Sequence, residues 1–378
     1  MRNVVVAGYA RSPFHLAGKG ALARVRPDDL AAQVIRGLIE RTGVKPEDIE
    51  DIVLGCAFPE GEQGFNVARL IGLLADLPLS VAGMTVNRFC GSSMSSVHIA
   101  AGQIQLGAGE VFICAGVESM SRVPMMGFNP LPNAELAKKT AAYLGMGDTA
   151  ENVATKYQIS RAQQEAFAVA SQDKAASAIA AGKLEAEIVP IPTKAGIVDK
   201  DGTPRPGTTV EALAGLKPAF AQEGTVTAGT SSPLTDGASA VLIASEDYAL
   251  ANGLPILARI KSVAVSGCQP EIMGIGPVEA SRKALGRAGL DVGQLDIVEL
   301  NEAFASQSLA CISDLGLDVD KVNVDGGAIA IGHPLGATGA RIVGKAAALL
   351  KREGGKYALA TQCIGGGQGI ATVLEAAE

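Results

Sequence analysis

The chain has 378 residues, of which 48% are apolar, 4% aromatic and none tryptophan, with a formal net charge of −7. Charged residues are 19% and glycines number 46, against ~25% and ~7% in an average globular chain, so the core is built from Ala, Val, Ile and Leu with glycine allowing close backbone approach. This excludes disorder, which needs low hydrophobicity and high charge; it argues against nucleic-acid binding, which needs a basic footprint, and against membrane insertion, because no apolar run reaches ~18 residues.

The first expected element is a short strand from Asn3. Nothing around it has the apolar stretch and cleavage site of a secretory signal. A helix opens at Pro27 with Asp28 and Asp29, repeats apolar residues at Leu30, Val34 and Leu38, and stops at Gly43. A polar turn then leads into a buried strand at Asp51. A turn at Cys90 precedes a small-residue helix over 95–106 and a strand from Val111. Residues 118–225 differ in character, with Met and Pro clusters, an Ala-rich amphipathic helix over 160–181 and a Gly/Pro-rich stretch over 194–207. They read as an inserted loop domain. Strand character returns at Ala238–Ser245.

The pattern then starts again. A helix opens at Pro277, carries Ala280, Ala284, Leu285 and Ala288, and stops at Gly289 before the strand from Asp296. A Gly-rich turn, a helix over 338–351 and a strand from Tyr357 follow. Asp51 lies 39 residues before Cys90, and Asp296 lies 37 before His333. Cys90 and His333 therefore occupy equivalent places in two copies of one unit. Alternating strands and helices predict an α/β protein with buried mixed sheets and helices outside. The expected boundaries are 1–117 plus 226–258 for the first half, 118–225 for the insertion and 259–378 for the second half.

Six cysteines stand at 56, 90, 114, 268, 311 and 363, none in Cys-x-x-Cys spacing, beside three histidines. This argues against a metal site. Free thiols in a reducing, cytoplasmic setting are the expectation, and the C-terminal residues carry no lipidation or peroxisomal address.

Four clusters carry chemistry. In Val86-Asn-Arg-Phe-Cys90-Gly-Ser-Ser, a cysteine sits between a strand and a helix start. There the helix N–H groups would lower a thiol pKa and Gly91 would let the chain turn. The alternative is a buried small hydrophobe. In Gly326-Gly-Ala-Ile-Ala-Ile-Gly-His333-Pro-Leu-Gly, the His could meet Cys90 across the duplication, or merely cap a loop. The same stretch ends in a near phosphate-loop, Gly339 to Lys345. Ala346 replaces the Ser or Thr that would hold Mg²⁺, which excludes nucleotide hydrolysis. In Thr361-Gln-Cys363-Ile-Gly-Gly-Gly, a second thiol precedes a glycine loop whose N–H groups can face an oxyanion, or which is simply a tight hairpin. In Leu300-Asn301-Glu302-Ala303-Phe304, an Asn and a Glu end a buried strand, as a water-placing group or as a helix cap. His15, His98 and the other four cysteines read as packing or loop residues.

Together, VNRFCGSS, NEAF, GGAIAIGHPLGATG and CIGGGQG, in that order along essentially the whole chain, resemble the thiolase family, on the side of its degradative 3-ketoacyl-CoA thiolases. The resemblance implies a duplicated βαβαβαββ fold in five αβαβα layers with an inserted loop domain. It implies Cys90 as the acyl-accepting nucleophile, His333 as its activator, Cys363 as general acid and base, and Asn301 holding a water that forms one oxyanion hole with His333. The N–H groups of Cys90 and Gly365 form the other. It places coenzyme A, a co-substrate rather than a bound cofactor, against Ala228, Ser232 and Arg205, with Met146, Met273 and Phe304 around the acyl and pantetheine path. The implied reaction is cleavage of 3-ketoacyl-CoA by CoA, in fatty-acid or related acyl β-oxidation. The implied assembly is a homodimer or a dimer of dimers, and some degradative thiolases also serve as a subunit of a fatty-acid oxidation complex.

Two features depart from the short-chain biosynthetic members. The Met120–Met146 stretch is shorter, which favours a dimer, and Gly145 stands where acetoacetyl-specific enzymes usually carry a His, which leaves room for longer or bulkier acyl chains. A short-chain acetyl-CoA acetyltransferase and a ketosynthase-like condensing enzyme are the alternatives. The second lacks a catalytic second cysteine, so Cys363 argues against it.

Overall fold

The computed structural model describes residues 2–377. Twelve strands follow in chain order: β1 (Val4–Arg11), β2 (His15–Leu16), β3 (Asp51–Gly55), β4 (Ala82–Val86), β5 (Val111–Ser119), β6 (Ile191–Thr193), β7 (Gly196–Val198), β8 (Thr235–Ser245), β9 (Ala258–Gly267), β10 (Ile297–Leu300), β11 (Tyr357–Ile364) and β12 (Gln368–Glu375).

The duplication read from the sequence is present strand by strand. In the first half β3 pairs in parallel with β4 and β5, β5 antiparallel with β8, and β8 antiparallel with β1. In the second half β10 pairs in parallel with β11, β11 antiparallel with β12, and β12 antiparallel with β9. The second-half counterpart of β4 is reduced to one parallel bridge, Val298 to Val322. The two halves join where β1 meets β9 at Val5–Arg259 and Val6–Ala258.

Helices complete five layers. The Leu335–Glu353 helix packs beside the Ser92–Leu106 helix and touches β1, β5 and β8 of one half and β10 and β11 of the other. The Pro27–Thr42 helix covers the outer face of the first half, and the Gly276–Ala288 helix that of the second. Each strand alternates between these layers. In β1, Val4, Val6 and Tyr9 face the central helices while Val5, Ala7 and Ala10 face outward. In β11, Ala358 and Ala360 face the centre and Leu359 the outside. Burial on both faces explains why these strands read as continuous apolar runs.

The central helix also explains the near phosphate-loop. A Cβ on Gly339 would lie 2.2 Å from Met94 N, and one on Gly344 would lie 2.3 Å from the Tyr9 ring. These glycines allow helix–helix and helix–sheet contact. The Lys345 ammonium is buried against Glu187 at 3.0 Å and Asp325 at 2.7 Å. Glu187 and Asp201, both from the 118–225 region, also hold the buried Arg11 guanidinium of β1, each at 2.7 Å. A lone buried charge is costly, so these pairs tie the insertion firmly to the body.

Element ends differ modestly from expectation. The helix placed at 95–106 starts at Ser92, and that placed at 338–351 spans Leu335–Glu353. Both begin a turn earlier than the apolar pattern: Ser92 Oγ bonds the Phe89 carbonyl just before it, and Gly336 N is held by Glu118 from the other half. The helix expected over 160–181 spans Arg161–Ala180 and is closed by a capping box of Ser160 and Gln163. Among the described residues no helix is long and apolar enough to cross a membrane.

Candidate active site

Cys90 lies between β4 and the Ser92–Leu106 helix. The turn carrying it is strained: Phe89 has φ of +44°, a region that non-glycine residues seldom occupy. Side chains hold it there. Asn87 Oδ1 accepts from Phe89 N at 2.8 Å, Ser92 Oγ accepts from Arg88 N at 2.9 Å, and Ser92 Oγ donates to the Phe89 carbonyl at 2.6 Å. The sequence reading gave the sharp turn to Gly91, but Gly91 has φ of −83°. Its missing side chain serves a close approach instead, since a Cβ there would lie 2.5 Å from Ile364 Cδ1 of β11. The second half thus presses on the nucleophile loop, and Gln362 of β11 donates its amide to the Cys90 carbonyl.

His333 enters from the loop before the central helix. Its Nδ1 is 2.6 Å from Thr338 Oγ1, and its Nε2 is 3.4 Å from Asn301 Nδ2. Asn301 Oδ1 is buried and has no partner. Asn301 follows β10 and donates its backbone N–H to the Thr361 carbonyl at 3.0 Å. Its neighbour Glu302, weighed above as a helix cap, instead fastens the histidine loop. It accepts from Ile329 N, Asn323 Nδ2 and Ser171 Oγ, and a Cβ on Gly327 would strike its carboxylate at 2.1 Å. Glu118 does the same from the first half, accepting from Gly336 N at 2.9 Å, Ala57 N at 2.8 Å and Gln63 Nε2 at 2.8 Å. Buried carboxylates that accept several N–H bonds lock loops rigidly.

Cys363 is near the end of β11, paired with Gly369 of β12. It packs with Met273, Phe304, Ala303, Ala150 and Val226, with Met146 against the cluster. Gly365, in the turn that follows, would meet Met146 Sδ at 3.5 Å and Phe89 Cδ2 at 3.7 Å if it carried a Cβ. The N–H groups of Gly365 and of Cys90 itself reach the Cys90 thiol. Ser232 is tied to the same wall, its N–H and Oγ both bonded to the Ala303 carbonyl at 3.0 and 3.1 Å. Ala228 and Arg205 stand outside this cluster and are exposed. Arg205 N donates to Gln172 Oε1 at 2.8 Å. Phe220, which sequence reasoning passed over, packs edge-on against Phe304 with centroids 6.0 Å apart and is 46% exposed. Its signal was the scarcity of aromatics, which makes each exposed one notable. Gln362, Glu118 and Thr338 were also missed, because their roles depend on contacts between distant segments.

The electrostatics correct one expectation. The helix start was expected to lower the Cys90 pKa. Burial instead pushes it up to about 12, with nearby Glu118 adding to the rise, while the N–H groups of Gly365 and Cys90 act against it. Burial also lowers the His333 pKa to about 3, and raises that of Cys363 well above the usual thiol range. The free enzyme therefore holds two thiols and a neutral imidazole. Below its pKa, a thiol's reactive fraction rises tenfold per pH unit. Iodoacetamide alkylation mapped to Cys90 by peptide mass spectrometry is accordingly expected to accelerate about tenfold per unit from pH 7 to 10. A plateau near neutrality would show a thiolate already formed at rest.

The remaining cysteines have structural surroundings. Cys56, Cys114 and Cys311 are buried and Cys268 half-buried, all without disulfides. Cys114 and Cys311 Sγ contact the Ser96 and Gly274 carbonyls, each at 3.3 Å. His98 bonds Thr372 Oγ1 at 2.9 Å, and His15 bonds the Lys200 carbonyl at 3.0 Å.

A duplicated α/β fold that sets Cys90 beside Cys363 and Gly365, and His333 against Asn301, has the makings of an acyl-transferring enzyme. Comparison with known proteins narrows this. Residues 4–247 match the thiolase N-terminal domain and residues 254–376 the thiolase C-terminal domain. The chain is 48% identical to a 3-ketoacyl-CoA thiolase of Bacillus subtilis and 50% identical to one of Aliivibrio fischeri, in each case over 99% of this chain and 100% of the relative. It superposes on the human mitochondrial 3-ketoacyl-CoA thiolase with a TM-score of 0.92 and 40% identity, covering 100% of this chain and 99% of that one. It matches the same human enzyme in complex with CoA equally well, over 98% of that chain. A Bacillus anthracis acetyl-CoA acetyltransferase gives the same TM-score and identity, over 100% of this chain and 99% of that one. The chain belongs to the thiolase family, acyltransferases that use CoA as a substrate.

Proposed function

We propose that the chain cleaves 3-ketoacyl-CoA with CoA, through an acyl group carried on Cys90. The observation that carries this reading is the meeting of Cys90 with the Gly365 N–H and of His333 Nε2 with Asn301, beside the second thiol Cys363. The Cys90 sulfur adds to C3 of the substrate as His333 Nε2 takes its proton. With a neutral imidazole and a protonated thiol at rest, proton transfer accompanies bond formation. The developing oxyanions are met by the Cys90 and Gly365 N–H groups at one place, and at the other by His333 together with a water that Asn301 holds. The unpartnered Asn301 Oδ1 supports that last assignment. The C2–C3 bond breaks, Cys363 protonates the acetyl-CoA enolate, and the acyl group stays on Cys90. The Cys363 thiolate then deprotonates CoA, whose sulfur takes the acyl group, and Cys90 recovers its proton from His333. A covalent intermediate divides one hard step into two easier ones and gives ping-pong kinetics.

Met146, Met273, Phe304 and Phe220 form the apolar wall of the substrate path. Ser232 and Ala228 serve the pantetheine and Arg205 the nucleotide. Gly145, the N-cap of the Met146–Lys156 helix, adds no side chain to the wall. The degradative reading follows from this, with longer acyl chains accepted. The domain division 1–117 plus 226–258, 118–225 and 259–378 goes with it, as do a homodimer or dimer of dimers and a cytoplasmic setting suited to six free cysteines. Assay of CoA-dependent cleavage across 3-ketoacyl-CoAs of graded length tests it. Each added buried methylene is worth about 0.8 kcal/mol, so kcat/KM is expected to rise about tenfold per methylene pair beyond acetoacetyl-CoA. Activity confined to acetoacetyl-CoA would favour the short-chain biosynthetic reading.

A further inference from the structure

We propose that Thr338 is a positioning residue that fixes the proton on His333 Nδ1 and so keeps Nε2 free as the base. The inference rests on the reading of His333 as the group that takes the Cys90 proton. His333 has no carboxylate partner. Its Nδ1 faces Thr338 Oγ1 at 2.6 Å, and Thr338 is fully buried in the first turn of the central helix. A hydroxyl has a single hydrogen to give. The Thr338 hydroxyl lies 3.1 Å from the Pro334 carbonyl four residues earlier and donates to it, the back-bond that threonine commonly makes within a helix. With the hydroxyl hydrogen on the Pro334 carbonyl, lone pairs face His333, and Nδ1 carries the hydrogen and donates.

The other side of the ring agrees. Asn301 Nδ2 faces Nε2 at 3.4 Å, a contact that suits a ring nitrogen without a hydrogen. The hydroxyl thus orients the ring as the buried carboxylate does in a serine-protease triad, but without a negative charge. The imidazolium formed during the reaction gains no ion pair from it and returns its proton readily. Because Thr338 sits four residues from Pro334 and five from His333 in the same turn, the histidine and its orienting group move as one rigid piece.

The test is nitrogen NMR of the intact protein labelled with ¹⁵N in its histidine rings. The chain has three histidines, so a His333→Ala spectrum assigns the ring. Wild-type His333 is expected to show the hydrogen on Nδ1. Thr338→Val, which keeps the shape and removes the hydroxyl, is expected to shift the hydrogen towards Nε2. It is also expected to lower kcat about 10- to 100-fold, part of what a positioned base supplies, with KM changed by less than about twofold. Thr338→Ser should restore both. The proposal is overturned if wild-type His333 carries its hydrogen on Nε2. It is equally overturned if the valine variant loses kcat with its tautomer unchanged, or retains both. Should the valine variant fail to fold, the wild-type spectrum and the serine variant still decide. A His333→Ala enzyme that keeps its acyl transfer would instead overturn the base assignment itself.

Discussion

Alanine at Cys90 is expected to lower turnover of 3-ketoacyl-CoA by at least about 10⁴-fold, the scale seen when a covalent nucleophile is removed. The effect should fall on kcat. In the proposed function substrate binding rests on the wall of Met146, Met273, Phe304 and Phe220, which alanine leaves intact. Folding should be little affected, because the strained turn is held by Asn87, Ser92 and Gln362 rather than by the thiol. Steady-state assay beside thermal melting separates the two effects. A variant that melts like the wild type and retains more than a few per cent of its kcat would place the acyl group elsewhere.

The second large effect is expected at Cys363. In the proposed mechanism alanine there removes the acid that protonates the enolate and the base that deprotonates CoA. A positioned proton donor contributes about 10²–10⁴-fold, and this residue serves in both half-reactions, so a kcat loss of about 10³-fold or more is expected. In the proposed mechanism His333, not Cys363, takes the Cys90 proton, so the Cys90 thiol should still react with a small alkylating agent at its former rate. Burial and the neighbouring Cys90 hold the Cys363 pKa well up, so it rests as the acid and becomes the base only after giving its proton to the enolate. A Cys363→Ala enzyme with little loss would point to a condensing enzyme built on a single cysteine.

Particular residues show how far the sequence could be read. The duplication was legible because its markers are local: Pro27 and Pro277 open helices, Gly43 and Gly289 close them, and the intervening strands read through as apolar runs. The two halves do share one strand order. The candidate reactive groups stood out because rare residue types lie beside glycine clusters. Three things were not. The Cys90 pKa depends on how tightly the second half packs over the loop, which no local pattern records. The role of Gly91 belongs to Ile364, more than two hundred residues away. The orienting hydroxyl of Thr338 looked like an ordinary helix residue until the histidine ring was seen against it.

The measurement that bears most directly on the account is intact-protein mass spectrometry after brief mixing with 3-ketoacyl-CoAs in the absence of free CoA. The account predicts a mass increase equal to the substrate's acyl group shortened by two carbons, located on Cys90 by peptide mapping and discharged when CoA is added. An adduct on Cys363 or elsewhere, or turnover with no adduct at any substrate, would contradict it.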